Sequence, residues 1–345
     1  MKVKDSSDTP AGTNQLMGAT DRYLGVFTFC AGVFEAVQVQ EVVVSWRFLG
    51  ENALHIPINV RLVDMASGKP IGNAVAQFGT MVHGQDTKAN LPEYGHAVFE
   101  GLTYKLPKGI CMDIGVLTDF VTYEAGGFTT TGQHGVLGIL GSYTNTPNKD
   151  VAVKAVGLTS GLAITPTVIS NWPKVPGAYV SASIFHRTKL ITSWAADTPM
   201  GVAAPGGAQV VGKFVVTNLA NSGNYPSTME SLNVDLMSTL KPLTMPRVFI
   251  IYKDSLVTTP IATYTFKPGE VFAATAIKQA NFTSVVFASG TSKTFYVTLD
   301  TSEAKGGDSL QVRVNGGGIR WSDGVSQGIA YMYGYLPLDW KSFIY

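Results

Sequence analysis

Apolar and polar residues alternate with a period of two along much of this chain. In SLNVDL (231–236) the apolar positions are Leu232, Val234 and Leu236. In TFYVTL (294–299) they are Phe295, Val297 and Leu299, and in LQVRV (310–314) they are Leu310, Val312 and Val314. Two-residue spacing places such side chains on one face of a strand, whereas a helix face needs a period of 3.6. Turn-forming clusters (NSGN, ASGK, KPGE, EAKGGD, WSDG) separate these runs, and no helical pattern extends past about ten residues. Short strands at this spacing predict an all-β chain built from antiparallel β-sandwiches, immunoglobulin-like or jelly-roll-like.

The pattern is written twice. SSDTPAG (6–12) returns as AADTPMG (195–201), 189 positions later. Downstream, GVFTF (25–29) matches GKFVV (212–216), and residues 59–78 match 247–266 with Pro70-Ile71 against Pro260-Ile261. Residues 97–119 run parallel to 280–300, and YEAGG (123–127) echoes EAKGG (303–307). The chain therefore reads as two tandem copies of one unit, 1–175 and 176–345, divided in the proline-bearing stretch SNWPKVPGAYVS (170–181). Asp-Thr-Pro-x-Gly is turn chemistry. Asp can accept backbone N–H groups, Thr before Pro is held extended, and Gly supplies a positive φ. Each copy is expected to use it to leave its first strand.

Composition narrows the function classes. With 45% hydrophobic and 14% charged residues among 345, the chain can bury a substantial core and is not disordered. A net charge of +1 gives no basic field for nucleic acid. No run reaches the ~18 apolar residues of a membrane-spanning segment, and Met1 leads into KVKDSSDTP without a basic-then-apolar leader. The two cysteines, Cys30 and Cys111, allow one bridge or two buried thiols, and buried thiols are expected.

Candidate chemistry is sparse. GAQVVGKF (207–214) begins like a phosphate loop, but Phe214 stands where Ser or Thr is required and a strand follows instead of a helix. His55, His83, His96, His134 and His186 keep no metal-ligand spacing, and no nucleophile elbow is present. The stretch 83–96, with His83, Asp86, Glu93 and His96, reads as a solvated insertion of the first copy. Carboxylates beside paired glycines recur in both copies: Asp119 and Glu124 with Gly126-Gly127, and Asp300, Glu303 and Asp308 with Gly306-Gly307. Hard oxygen ligands on a Gly-rich loop make these five residues the candidate calcium ligands. Tyr331, Tyr333 and Tyr335, followed by Trp340, Phe343 and Tyr345, form an aromatic stripe suited to a subunit contact or to stacking on a sugar. No catalytic constellation emerges, so no enzyme is expected.

Two stretches, RTKLITSWAADTPMGVAAPGGAQVVGKFVVTNLANSGNYPSTMESLNVDL (187–236) and KTFYVTLDTSEAKGGDSLQVRVNGGGIRWSDG (293–324), together with LPL (336–338), carry a resemblance. They resemble repeats of surface-layer-type cell-surface proteins of candidate-phylum bacteria, which look like tandem β-sandwich modules. The resemblance covers nearly all of the second copy and, more loosely, the first. It implies a non-enzymatic structural protein outside the cell that assembles with copies of itself into a layer or filament. Two alternatives accompany it: a virion capsid protein with two jelly rolls, and an adhesin that binds a cell-surface glycan.

Overall fold

The computed structural model describes residues 1–10, 14–49, 55–79, 81–82, 85–86, 94–129, 131–139, 152–169, 183–240, 247–253, 257–268, 275–276, 282–330 and 338–345. These form two compact units, Met1–His186 and Arg187–Tyr345, and every regular element in them is a strand.

The first unit begins with β1 (Lys2–Asp5), β2 (Asn14–Leu16), β3 (Arg22–Cys30), β4 (Val37–Leu49), β5 (Pro57–Asp64) and β6 (Pro70–Gln77). It continues through the small hairpin β7 (Met81–Val82) and β8 (Gln85–Asp86) to β9 (Tyr94–Phe99), β10 (Tyr104–Leu106) and β11 (Cys111–Phe120). It closes with β12 (Gln133–Gly138), β13 (Val153–Gly157), β14 (Ala163–Ile164), β15 (Thr167–Ile169) and β16 (Ser183–His186). One sheet runs β15-β1-β3-β11-β5-β6 and the other β14-β13-β4-β12-β16-β2, with β9 and β10 also on β4.

The second unit holds β17 (Lys189–Trp194), β18 (Gly201–Val202), β19 (Gln209–Leu219), β20 (Ser227–Ser238), β21 (Arg247–Tyr252) and β22 (Pro260–Phe266). Then come β23 (Thr275–Ala276), β24 (Val285–Phe287), β25 (Ser292–Leu299), β26 (Ser309–Ser322), β27 (Ile329–Ala330) and β28 (Lys341–Ile344). Its sheets are β17-β19-β25-β21-β22 and β18-β28-β26-β20-β23, with β24 on β20 and β27 on β26.

The central strands of the second unit repeat the pairing of the first. The order β1-β3-β11-β5-β6 becomes β17-β19-β25-β21-β22. β9 and β10 lie along β4 as β23 and β24 lie along β20. The parallel pair β2–β16 returns as β18–β28. Where the second unit has one 14-residue strand, β26, along β20, the first splits it into β12 and β13 along β4. The orders β17-β19-β25-β21 and β20-β26-β28 are the two sheets of an immunoglobulin-type sandwich. That order selects the immunoglobulin-like form over the jelly-roll one. The first unit runs past the expected limit at 175, because β16 completes its second sheet by pairing with β12 and β2. The stretch 170–181 lies outside the described residues.

Alternation becomes burial. Leu232, Val234 and Leu236, Phe295, Val297 and Leu299, and Leu310, Val312 and Val314 are all buried in the core of the second unit. Phe295 anchors it, stacked on Phe214 with ring centroids 5.3 Å apart. In the first unit Trp46 lies between Phe78 at 6.0 Å and Phe185 at 6.1 Å. Gly135 is the floor beneath that indole: a Cβ there would sit 2.1 Å from the ring. Full burial of each such side chain stabilises by roughly 1.5–3 kcal/mol.

The repeated motif is a turn with one specific fastening. The N–H of Ser6 and the hydroxyl of Thr9 both donate to Val26 O, at 3.0 and 2.7 Å. In the second unit the N–H of Ala195 and the hydroxyl of Thr198 donate to Lys213 O, at 2.9 and 2.5 Å. The threonine hydroxyl ties the turn to the backbone of the neighbouring strand. Asp197 adds a second tie in the second unit, an ion pair with Lys213 of the same strand. Gly201 follows at φ 95, and the chain then crosses into the other sheet.

Cys30 and Cys111 form a disulfide, their Cα atoms 4.0 Å apart, and this corrects the expectation of buried thiols. They are directly opposed on β3 and β11, and Cys111 is exposed. The matching pair in the second unit is Thr217 and Ser292, also directly opposed, whose hydroxyls hydrogen-bond at 2.8 Å. One cross-strand position is thus covalent in one copy and hydroxyl-paired in the other.

Candidate interaction surfaces

The five candidate calcium ligands occupy turns and strand ends, and the three aspartates among them have internal duties. Asp119, at the end of β11, accepts the Asp21 N–H at 2.9 Å, Asn59 Nδ2 at 2.7 Å and Arg61 Nη2 at 2.7 Å. Burial raises its pKa, but those hydrogen bonds and the Arg61 charge outweigh it and hold the carboxyl below its ordinary range. Arg61 also pairs with Asp21 at 2.9 Å. Asp21 and Asn59 both adopt positive φ, 53 and 52, the left-handed region that short polar side chains tolerate. Asp300 accepts the N–H and hydroxyl of Ser302, and Asp308 accepts the Lys305 N–H. Glu124 and Glu303 are exposed on their turns. Among the described residues, no three His, Cys, Asp or Glu side chains gather in a group able to hold a metal ion.

Within the stretch 83–96, His83 and Glu93 lie outside the described residues, and Asp86 is placed only as backbone of β8. His96 turns inward on β9. It is buried, with Nδ1 at 2.9 Å from Ser45 Oγ. Burial alone lowers its pKa to about 4, so the ring is neutral at neutral pH. The phosphate-loop look-alike is strand β19, with Lys213 over the Tyr296 ring at 5.4 Å.

Of the aromatic stripe, Tyr331, Tyr333 and Tyr335 lie outside the described residues. The rest fasten the C-terminal strand. Phe343 is buried in the core. Tyr345 donates to Gln209 Oε1 at 2.9 Å. Trp340 carries the Arg313 guanidinium on its face at 4.4 Å, and Arg313 reaches the buried Asp235 at 2.8 Å. Trp194 donates its indole N–H to Asp339 O at 2.8 Å, with Lys341 above the ring.

An apolar edge remains. β18 ends the second sheet of its unit by pairing with β28, placing Val202 opposite Ile344. Met200, Val202 and Ile344 are 67%, 90% and 55% exposed. Sheet edges that carry apolar side chains are sites of strand addition and self-association. The equivalent strand of the first unit, β2, buries both Asn14 and Leu16. Asn14 is held there by His186, with Oδ1 and Nε2 3.2 Å apart. In sequence, Val202 stands where the first copy has Thr13, which lies outside the described residues.

No family model and no curated protein matches the chain. Among solved structures it is similar to the C-terminal domain of the AgI/II polypeptide BspA of Streptococcus agalactiae. Identity there is 9%, over 100% of this chain and 99% of that one, with a TM-score of 0.21. It is also similar to CfaE, the adhesive subunit of the CFA/I fimbria of enterotoxigenic Escherichia coli, at 8% identity over 98% of each chain and a TM-score of 0.17. Likeness of that degree carries no argument about this chain. The class, a tandem pair of all-β sandwiches, rests on its own strand order. No helix among the described residues is long and apolar enough to cross a membrane.

Proposed function

We propose that the chain is a non-enzymatic structural protein of the cell surface that works by contact between copies of itself. The observation that carries this reading is the exposed apolar edge of β18 and β28, where Val202 and Ile344 stand opposite one another and largely in water. A sheet edge that carries exposed apolar side chains suits strand-to-strand contact with a second copy. The Cys30–Cys111 bridge supports an oxidising location outside the cytoplasm.

Sedimentation velocity from dilute to millimolar protein, with electron microscopy of the concentrated sample, tests the proposal. The wild type forms dimers or larger arrays, and Val202→Lys, a change at an exposed site, shifts it to monomer. A wild type that stays monomeric throughout overturns the reading.

A further inference from the structure

The first unit carries a second apolar surface that self-association through β18 does not use. Residues 31–36 join β3 to β4, residues 107–110 join β10 to β11, and residues 158–162 join β13 to β14. Val33, Phe34, Ile110, Leu158 and Leu162 lie on these three connections, with Phe34 89% and Leu162 70% exposed. They are five of the twelve large apolar side chains that stand exposed among the described residues. Single exposed apolar residues are ordinary, but a cluster confined to one end of a sandwich is not.

The three connections are bonded into one platform. Gly109 donates its N–H to Gly32 O at 2.9 Å, and Ala31 donates to Ile110 O at 3.0 Å. Leu158 donates to Ala36 O at 2.9 Å. Glu35 folds back from the middle of the first connection. Its carboxylate accepts the N–H groups of Thr159 and Ser160, each at 2.9 Å, and the Ser160 hydroxyl at 2.7 Å. The disulfide closes the base, since Cys30 and Cys111 are the strand residues that bound two of the connections. The apolar side chains are therefore held out to solvent on a braced frame, and binding need not order them first.

The charges around the platform identify the partner. Lys2 stands opposite Cys30 on β1, Lys105 opposite Gln38 on β10, and Lys108 in the turn itself, all exposed. The one carboxylate of the three connections, Glu35, is turned back onto Ser160. Apolar tips rimmed by lysine match a bilayer surface, where the apolar groups enter the headgroup boundary and the cations meet anionic lipid. A second copy fits less well. It would face lysine with lysine.

We propose that the apolar platform around Phe34, built by residues 31–36, 107–110 and 158–162, binds the surface of an anionic lipid membrane by shallow insertion. Co-sedimentation of the full chain with vesicles of phosphatidylcholine alone, and of phosphatidylcholine with phosphatidylserine, tests it. The wild type pellets with the anionic vesicles and much less with the neutral ones. Phe34→Glu and Leu162→Glu, two exposed sites whose change leaves the core intact, each weaken binding at least about tenfold. Lys105→Glu combined with Lys108→Glu weakens it about twentyfold or more, and salt weakens the wild type. Val202→Lys binds as the wild type does, which separates this proposal from the edge contact. Failure to pellet with anionic vesicles, equal binding to both vesicle types, or unchanged binding by both Glu variants would each overturn it. Loss of self-association in Phe34→Glu, without vesicle binding by the wild type, would assign the platform to a second copy instead.

Discussion

Cutting the Cys30–Cys111 bridge should destabilise the first unit and leave the second as it was. The bridge joins residues 81 apart, and closing a loop of that length removes about 15 cal/mol/K of entropy from the unfolded chain, about 4.5 kcal/mol at 25 °C. The double variant Cys30→Ala, Cys111→Ala loses this constraint without touching the core, because Cys111 is exposed and Cys30 lies at the last residue of β3. With a urea m value of about 2 kcal/mol/M for a unit of this size, the unfolding midpoint falls by about 2 M. The second unit is an internal control: its Thr217–Ser292 pair occupies the same place and holds by a hydrogen bond. Proteolysis in a urea series, with fragments assigned by mass to either unit, reads the two midpoints separately. A first-unit midpoint that does not move on removing the bridge would refute the reasoning, as would an equal fall in both units.

The remaining predictions concern one titration and one turn. His96 protonates near pH 4 in the fold and near 6.5 when unfolded, so the unfolded chain binds more protons between those values and stability falls as the pH drops through that window. At about 1.4 kcal/mol per pH unit the loss reaches about 3 kcal/mol by pH 4. Urea titrations at pH 7 and pH 4 should show a first-unit loss smaller by that amount in His96→Gln, and an unchanged pH dependence would refute it. Thr198→Val removes one of two donors to Lys213 O, and Thr9→Val removes one of two donors to Val26 O together with the acceptor of the Val26 N–H. Each costs about 1 kcal/mol in its own unit by thermal melting, and a destabilisation of only one unit by both changes would contradict the equivalence of the two turns.

Much of the fold was legible because its causes are local. Leu232, Val234 and Leu236 alternate because one face of β20 is buried, and that period is visible without knowing the partner strand. The turn motif was recognisable in both copies because it solves the same problem, leaving a first strand, with the same four or five residues. Its fastening was not legible. The carbonyl that Thr9 bonds is 17 residues away, so aspartate, the commoner turn acceptor, looked like the agent. Likewise, residues 183–186 carry no mark of the unit they belong to, and only their pairing with β12 and β2 assigns them.

The candidate surfaces divide the same way. The carboxylates at 119, 124, 300, 303 and 308 were conspicuous because acids beside glycines are conspicuous, yet an acid near a turn is as readily spent on its own backbone. Asp300 and Asp308 are spent so. Asp119 is held by Arg61, 58 positions distant. The exposure of Val202 on β18 and of Phe34 in its connection is not readable from the sequence, since an apolar residue is written the same way whether it is buried or in water.

By itself the sequence pointed to strands in two like copies, with a net charge near zero. Those properties follow from periodicity, turn residues and charge, which act over a few positions or sum over the whole. The tertiary structure alone decided which strands are neighbours. Hence it decided that Cys30 meets Cys111, that the copies follow the immunoglobulin order, and which apolar side chains stay in water. Strand register couples residues as far apart as Asn14 and His186, 172 positions, and no local pattern encodes a distance of that kind.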